Sequence, residues 1–170
     1  AVNPGRLEEQ VQFFHHLGGG ARLGYGVAAA DEILIANARD GPGAVVAFGL
    51  SNDERRGDTA EFEAAFALAR RAGLLLAPHA GELLGPQAVE ETLNWLAPDR
   101  IGHGVRSVED PRLVDRLALE GVSLEVCPGS NVALGVYDED RDVPLRRLLD
   151  AGVQVALGAD DPLIFGSRLV

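Results

Sequence analysis

Five titratable side chains of this 170-residue chain have types and spacings that suit proton transfer and metal binding. His79 and Glu82 are three residues apart in the stretch PHAGE, directly after the apolar run GLLLA. His103 lies between two glycines in RIGHGV, and Asp160 and Asp161 are adjacent in GADDP. Imidazole and carboxylate groups bind zinc and act as general acids and bases. Because no serine or cysteine lies in a nucleophile elbow, the set favours metal-assisted hydrolysis.

Each of these residues also has a simpler explanation. Asp161 precedes a proline and could cap a helix. His103 could be a hydrogen-bonded core residue, and Glu82 could be a solvated carboxylate at a helix start. Two adjacent carboxylates, however, repel each other unless a cation or hydrogen-bond donors lie nearby. The hypothesis of a site therefore rests on the five residues together.

Apolar runs typical of buried parallel strands precede the polar clusters. The runs are AVVAFGL (44–50), GLLLA (73–77), RIGHGV (100–105), VSLEV (122–126) and VQVALGA (153–159), with ARLGYGV (21–27) as a weaker candidate. The clusters SNDE, PHAGE, CPGSN and DDP follow the ends of predicted strands, and His103 lies within the predicted strand RIGHGV. Since the carboxyl ends of parallel strands form one face, where active sites lie, we expect the clusters to share that face.

Amphipathic helical patterns lie between the strands, and two of them have proline just inside the start and glycine just past the end. The predicted helices are TAEFEAAFALARRAG (59–73), PQAVEETLNWLA (86–97), DPRLVDRLALEG (110–121), VPLRRLLDAG (143–152) and, near the start, GRLEEQVQFFHHLGGG (5–20). On the last of these, His15 and His16 would point about 100° apart, and we interpret them as surface residues. The alternation predicts an α/β fold, either a doubly wound sheet or an incomplete (β/α)8 barrel.

The composition is that of a globular protein and excludes several classes of function. The chain is 46% hydrophobic, and its net charge of −11 argues against a nucleic-acid-binding surface. The single cysteine, Cys127, excludes internal disulfides and cysteine-rich zinc motifs. No apolar run approaches the ~20 residues of a membrane span. We expect a single domain over residues 1–170, cytoplasmic, without nucleic-acid or membrane partners. The lack of any methionine suggests a piece of a longer protein.

Four stretches make the chain resemble the adenosine deaminases of the metal-dependent amidohydrolase superfamily. They are HAGE (79–82), RIGHGV (100–105), LEVCPGSN (124–131) and ALGADDPLIFG (156–166), in the order and at about the spacing of that family. The resemblance runs from about residue 44 to the end of the chain. It implies a TIM barrel that binds one zinc ion per subunit, of which this chain would hold about strands 3 to 8.

The resemblance also implies a role for each candidate residue. His79 and Asp160 would be zinc ligands, and His103 would orient the zinc-bound water and take its proton. Asp161 would hydrogen-bond the attacking water or the purine, and Glu82 would protonate the purine nitrogen N1. Independently of the resemblance, attack at C6 puts electron density on N1, so a nearby carboxylic acid should donate a proton there. This requires Glu82 to be protonated at neutral pH or to gain a proton when substrate binds.

The chain departs from the family pattern in two places. The family's His-x-His pair, which supplies two further zinc ligands, is absent from the 170 residues. We therefore expect the first barrel strands and the helices after the last strand to lie outside this sequence. The family's Ala-Gly-Asp-Glu after strand four, whose glycine lets the backbone meet the purine, reads SNDE here. Asn52 takes the glycine's place and is the predicted substrate contact, because asparagine tolerates left-handed backbone geometry.

The implied reaction is the zinc-dependent hydrolytic deamination of an adenine nucleoside, which gives a 6-oxo purine and ammonia. Adenosine is the default substrate, a similar nucleoside such as 6-aminodeoxyfutalosine is an alternative, and adenine is less favoured. Two other hypotheses stay open: an amidohydrolase of another aminopurine, and a non-catalytic purine-binding homologue. The missing His-x-His pair would fit the non-catalytic protein, but the presence of all five candidate residues fits it poorly. A zinc site of the cytidine-deaminase type is excluded, because it needs more cysteines than the one present.

Overall fold

Strands and helices alternate along the chain from Val45 onward, which confirms the predicted α/β class. The computed structural model describes residues 11–17, 20–26, 45–51 and 53–167. The strands are β1 (Val11–Leu17), β2 (Gly20–Gly26), β3 (Val45–Leu50), β4 (Leu75–Ala80), β5 (Arg100–His103), β6 (Ser123–Val126) and β7 (Val155–Leu157). The α-helices are α1 (Glu63–Arg71), α2 (Pro86–Leu96), α3 (Pro111–Glu120), α4 (Pro128–Ala133), α5 (Leu145–Asp150) and α6 (Pro162–Phe165).

The described residues form two compact units. The first unit contains the described residues up to His79 and the segment Glu91–Pro98. The second contains Ala80–Glu90 and the described residues from Asp99 onward. His79 therefore belongs to the first unit, and Glu82 belongs to the second. The expectation of a single domain over residues 1–170 stays a prediction.

In the first unit, strands β3 and β4 pair in parallel, and helix α1 covers them through an apolar core. Phe48 of β3 lies opposite Leu76 of β4, and both side chains are buried. The Phe66 ring of α1 meets the Phe48 ring edge-on, with centroids 4.9 Å apart at 74°, an arrangement that aromatic quadrupoles favour. This core fixes β4, whose penultimate residue is His79.

The helix predicted over residues 5–20 is wrong where the structure describes it, because residues 11–17 form strand β1. This strand pairs antiparallel with β2 and with β3. Its sequence VQFFHHL is rich in aromatic residues, which favour strands, and Gly18-Gly19 separates the paired residues Leu17 and Gly20. The two-glycine hairpin signal outweighs the helical spacing of the apolar residues. The weaker strand candidate at 21–27 is confirmed as β2.

In the second unit, strands β5, β6 and β7 form a parallel sheet. Ile101 of β5 lies opposite Leu124 of β6, which in turn lies opposite Val155 of β7. Ile101 and Leu124 are fully buried. Because the three strands run in parallel, their carboxyl ends lie at one edge of this sheet. The residues that follow β5, β6 and β7 therefore come together.

The helix ends follow the predicted signals, but two short helices were not predicted. Helix α3 begins after Asp110, whose carboxylate accepts a hydrogen bond from the Arg112 N–H at 3.0 Å. It ends at Gly121, which adopts φ = 70°. The unpredicted helices α4 and α6 each begin at the proline of a polar cluster, Pro128 of CPGSN and Pro162 of DDP. Among the described residues, no helix has the length and hydropathy needed to cross a membrane.

Candidate active site

Strand β4 continues through the predicted cluster PHAGE as far as Ala80, so His79 lies within the strand and not after it. The half-buried His79 lines a cleft of the first unit together with Ser51, Asp53 and Phe62. Its predicted role as a zinc ligand stays a prediction. Asn52, the predicted substrate contact, lies outside the described residues.

Asp53 is held by the turn that follows β3. The Arg55 side chain donates to both of its carboxylate oxygens, Nε to Oδ1 at 2.7 Å and Nη2 to Oδ2 at 2.9 Å. These hydrogen bonds lower the pKa of Asp53 to about 2, and the charges of Arg55 and Arg56 act in the same direction. Asp53 is therefore ionised at neutral pH and forms an ion pair with Arg55 at this end of the cleft.

Glu82 follows a glycine that no other residue could replace without movement. Gly81 has φ = 70°, and a Cβ atom placed there would lie 2.3 Å from Cγ2 of Val89. The Gly81 carbonyl accepts a hydrogen bond from the Arg106 N–H, and the Ala80 carbonyl accepts one from the Gly104 N–H, both at 2.9 Å. The segment that carries Glu82 is thereby tied to the residues just after β5.

His103 ends strand β5 with backbone geometry that is unusual for its residue type. Its φ is 65°, in the left-handed region, and only 3% of its side chain is exposed. Gly104 follows with φ = 66°, and a Cβ atom there would lie 2.6 Å from Cδ2 of Leu124. The glycine after His103 is thus required both by conformation and by packing. Strained backbone at a buried polar residue is typical of functional sites.

The structure brings Glu82, His103 and Asp160 together in the second unit. The Nδ1 atom of His103 lies 3.2 Å from Oε1 of Glu82, and its Nε2 atom lies 3.9 Å from Oδ2 of Asp160. A buried imidazole between two carboxylates is well placed to exchange protons. The roles of these residues stay predictions. The parallel sheet accounts for the proximity of His103 and Asp160, and the hydrogen bonds from Gly104 to Ala80 and from Arg106 to Gly81 bring Glu82 beside them.

Asp160 and Asp161 differ in their surroundings although they are neighbours in the chain. Asp160 has φ = 55°, and 25% of its side chain is exposed. Asp161 occupies the N-cap position of α6, but its side chain makes no hydrogen bond to that helix in the described structure. Side-chain capping therefore does not account for Asp161, and helix α6 makes no use of its carboxylate in the described structure.

Cys127 joins this cluster and was not assigned a role in the sequence analysis. Its Sγ atom, a ring nitrogen of His103 and a carboxylate oxygen of Asp160 lie within 4.8 Å of one another. Burial raises the pKa of the Cys127 thiol to about 12, and the negative charge of Asp160 adds to this shift. The thiol is therefore protonated at neutral pH. The imidazole nitrogen and the carboxylate oxygen are donor types that bind zinc, whereas a protonated thiol is not a zinc ligand.

Asn131 is a second residue that the sequence analysis missed. It lies on α4, its side chain is fully buried, and its Nδ2 donates to Oε1 of Glu82 at 3.0 Å. The stretch CPGSN had marked this strand end as a polar cluster, and that signal could have pointed to Cys127 and Asn131. The residue of CPGSN that faces Glu82 is decided by the helix that begins at Pro128, which the sequence analysis did not predict.

Comparison with known proteins matches residues 20–170 of the chain to the adenosine deaminase family. A Streptomyces coelicolor protein, provisionally named an adenosine/adenine deaminase, is 67% identical over 125 residues, which are 74% of this chain and 36% of that protein. The crystal structure of an adenine deaminase from Arthrobacter aurescens superposes with a TM-score of 0.72 at 38% identity, over 82% of this chain and 42% of that one.

A third comparison concerns a metal-containing structure. An amidohydrolase from Burkholderia ambifaria, solved with bound zinc, superposes with a TM-score of 0.68 at 25% identity, over 81% of this chain and 39% of that one. These superpositions confirm the predicted (β/α)8 barrel, present in part. The chain spans 36–42% of the length of the three proteins described. The match over 20–170 and the 67% identity establish that the chain belongs to the adenosine deaminase family.

Proposed function

We propose that the full natural protein containing this chain hydrolyses the 6-amino group of an aminopurine, with zinc as its cofactor. The products are the 6-oxo purine and ammonia. The observation that carries the proposal is the buried His103 between the carboxylates of Glu82 and Asp160. Membership of the adenosine deaminase family supports this reaction over other hydrolyses.

In this proposal the chain's own residues move the protons. Glu82 holds a proton when substrate is bound and donates it to N1 as electron density builds up there. His103 lies beside Glu82 and Asp160, so its imidazole can accept the proton of the attacking water. Asp161 orients the water or the purine by hydrogen bonding, since helix α6 makes no use of its carboxylate in the described structure.

His79 and Asp160 are the metal ligands that the family resemblance implies, and we propose them as such, with one zinc ion per subunit. Bound zinc supplies Lewis acidity, which lowers the pKa of a water molecule enough for hydrolysis at neutral pH. The Nε2 atom of His103 lies 3.9 Å from Oδ2 of Asp160, which places the proposed base beside this proposed metal ligand. The zinc found in the Burkholderia ambifaria amidohydrolase supports the choice of metal.

Adenine is the first candidate substrate and adenosine the second. The name of the Arthrobacter aurescens protein favours adenine, and the name of the Streptomyces coelicolor protein includes both. The SNDE stretch also departs from the Ala-Gly-Asp-Glu pattern that the resemblance implies for adenosine deaminases. We therefore place adenine ahead of the adenine nucleosides.

The test is a deamination assay on the full natural protein together with its metal content. We expect zinc in the purified protein, release of ammonia from adenine, and a kcat/KM for adenine at least about 10-fold above that for adenosine. Chelation should remove the activity, and added zinc should restore it. A zinc-loaded protein that deaminates neither compound would reject the proposed reaction and favour the non-catalytic homologue. A preference for adenosine would reject only the order of the substrates.

A further inference from the structure

Asn131 is buried in a way that packing alone does not explain. None of its surface is exposed, yet it carries an amide, which costs free energy to bury unless its groups are hydrogen-bonded. In the described structure, its Nδ2 donates to Oε1 of Glu82 at 3.0 Å, and its Oδ1 has no hydrogen-bond partner. A leucine of similar size would fill this space without an unsatisfied oxygen. The polar contact of the side chain is therefore directed to Glu82.

The backbone holds Asn131 firmly in this orientation. Its N–H donates to the Cys127 carbonyl at 3.1 Å within α4. Its own carbonyl accepts from the N–H groups of Val136 and Tyr137, at 2.9 and 3.3 Å. Because the backbone of Asn131 is hydrogen-bonded on both sides, its side chain leaves the chain from a fixed point, which favours its use in orienting another side chain.

The contact is made to the same carboxylate oxygen that lies 3.2 Å from Nδ1 of His103. The Asn131 hydrogen bond thus fixes the position of one of the two oxygens of the Glu82 carboxyl group. A proton donor must present its proton along one direction to the acceptor nitrogen, and small errors in orientation reduce the rate steeply. Asn131 does not titrate, so it can hold Glu82 in this direction at any pH.

We infer that Asn131 is a positioning residue that orients the Glu82 carboxyl group for proton transfer to the purine. The inference rests on the proposed function, because it assumes that Glu82 is the proton donor. It assigns no contact between Asn131 and the substrate. Asn131 acts only through Glu82.

The test uses the full natural protein and four variants: Asn131→Leu, Asn131→Asp, Glu82→Gln and the double variant Asn131→Leu/Glu82→Gln. We expect Asn131→Leu to lower kcat about 10- to 100-fold and to change KM less than about 3-fold. Asn131→Asp keeps the shape, replaces the donor by a negatively charged acceptor that repels Glu82, and should lower kcat at least as much. It therefore provides the same test if the leucine variant does not fold.

The double variant separates positioning from a structural role. If Asn131 acts through Glu82, Asn131→Leu should reduce kcat less than about 2-fold further when Glu82→Gln is already present. Full additivity of the two losses would overturn the inference, as would a wild-type kcat in both Asn131 variants. Ser130→Ala is the matched control, because Ser130 is equally buried and its hydroxyl donates only to the Cys127 carbonyl among the described contacts. Its kcat should stay within about 2-fold of wild type.

A crystallographic measurement keeps the inference separate from the proposed reaction. In the structure of the Asn131→Leu variant, the Glu82 carboxyl group should turn away from its wild-type position. A Glu82 side chain that stays in place would overturn the inference whatever the activity of the protein. Conversely, absence of deaminase activity in the wild-type protein, with Glu82 displaced in the variant, would reject the proposed function and leave the positioning contact supported.

Discussion

Glu82 and His103 illustrate how two ordinary residue types become specific tools through their surroundings. Oε1 of Glu82 receives a hydrogen bond from Asn131 and lies 3.2 Å from the His103 ring. The other ring nitrogen of His103 faces Asp160 at 3.9 Å. These contacts form a continuous line of four polar side chains from Asn131 to Asp160. Proton transfer at this site therefore depends on which of these side chains are neighbours and on the chemical type of each one.

The first prediction concerns the proton donor. Glu82→Gln should retain the zinc content of the full natural protein and lower kcat by about 10²- to 10⁴-fold, because it removes the proposed acid and no metal ligand. Metal analysis and steady-state kinetics on the same preparation measure both quantities. Asp160→Asn is the comparison variant and should lose zinc. Loss of zinc from Glu82→Gln would show that Glu82 has been assigned the wrong role.

The second prediction concerns the raised pKa of Cys127, about 12 in the folded protein against an ordinary value of 9.0. Because the folded state disfavours the thiolate, the thiol should react with iodoacetamide only as the pH rises toward 12. At pH 8 the folded protein should react about 1,000-fold more slowly at this residue than the urea-unfolded chain. Peptide mapping by mass spectrometry measures the rate at Cys127, with Cys127→Ala as the blank. Equal reaction rates at Cys127 in the folded and unfolded states would contradict the raised pKa of its thiol.

At the residue scale, the sequence reveals more about which side chains matter than about what they touch. The stretches around His79, Glu82, His103 and the two aspartates suffice to place them at strand ends. Asn131 and Cys127 could not be assigned in the same way, because their contacts depend on helix α4. That six-residue helix begins at a proline after β6, and its register decides which side chain faces Glu82.

At the scale of elements, the short loops after β4 and β5 determine the geometry of the site. The hydrogen bonds from Gly104 to Ala80 and from Arg106 to Gly81 join these two loops. The predicted strands are confirmed because continuous apolar runs between glycines and polar turns are a strong signal. The predicted helix over 5–20 is wrong where it is described, because the spacing of apolar residues that suggested a helix also occurs in a strand of an antiparallel pair. In that case long-range pairing decides the structure.

The third prediction tests the packing of the loop after β5. Gly104→Ala should lower the free energy of unfolding by about 2–5 kcal/mol, since it combines a left-handed backbone with a close contact to Leu124. Gly121→Ala is the matched control. It has φ = 70°, but nothing lies within 4 Å of the added Cβ, so we expect a loss of about 1–2 kcal/mol. Urea unfolding of the full natural protein compares the two. Equal losses would mean that the Leu124 contact is relieved easily.

At the scale of the whole molecule, several large apolar side chains of the described residues are exposed. Strand β7 pairs only with β6 among the described strands, and Leu157 at its end is 50% exposed. Leu163 and Ile164, on the helix that follows, are also largely exposed. The sequence predicts the fold class from its alternating runs. It could not reveal which apolar side chains stay exposed, because that depends on which surfaces have partners.

The fourth prediction follows from these surfaces. Expressed alone, the 170-residue chain should unfold without a sharp transition and bind a hydrophobic dye, because unpaired strand edges and exposed apolar side chains favour association. Thermal unfolding, dye fluorescence and size-exclusion chromatography measure these properties. The full natural protein serves as the control and should unfold cooperatively. A cooperative, monomeric transition of the 170-residue chain would show that these surfaces do not limit its folding.

Both His103 and Asp160 adopt left-handed backbone conformations, and this has a consequence for anyone who wishes to transplant the site. Grafting an imidazole and a carboxylate onto the strand ends of another α/β scaffold would reproduce the residue types but not the directions in which they leave the chain. The segments 102–104 and 158–160 would have to be moved as backbone units with their glycines. A design that copies side chains alone should therefore fail to bring the imidazole beside the carboxylate, whereas one that copies these two turns begins with the correct geometry.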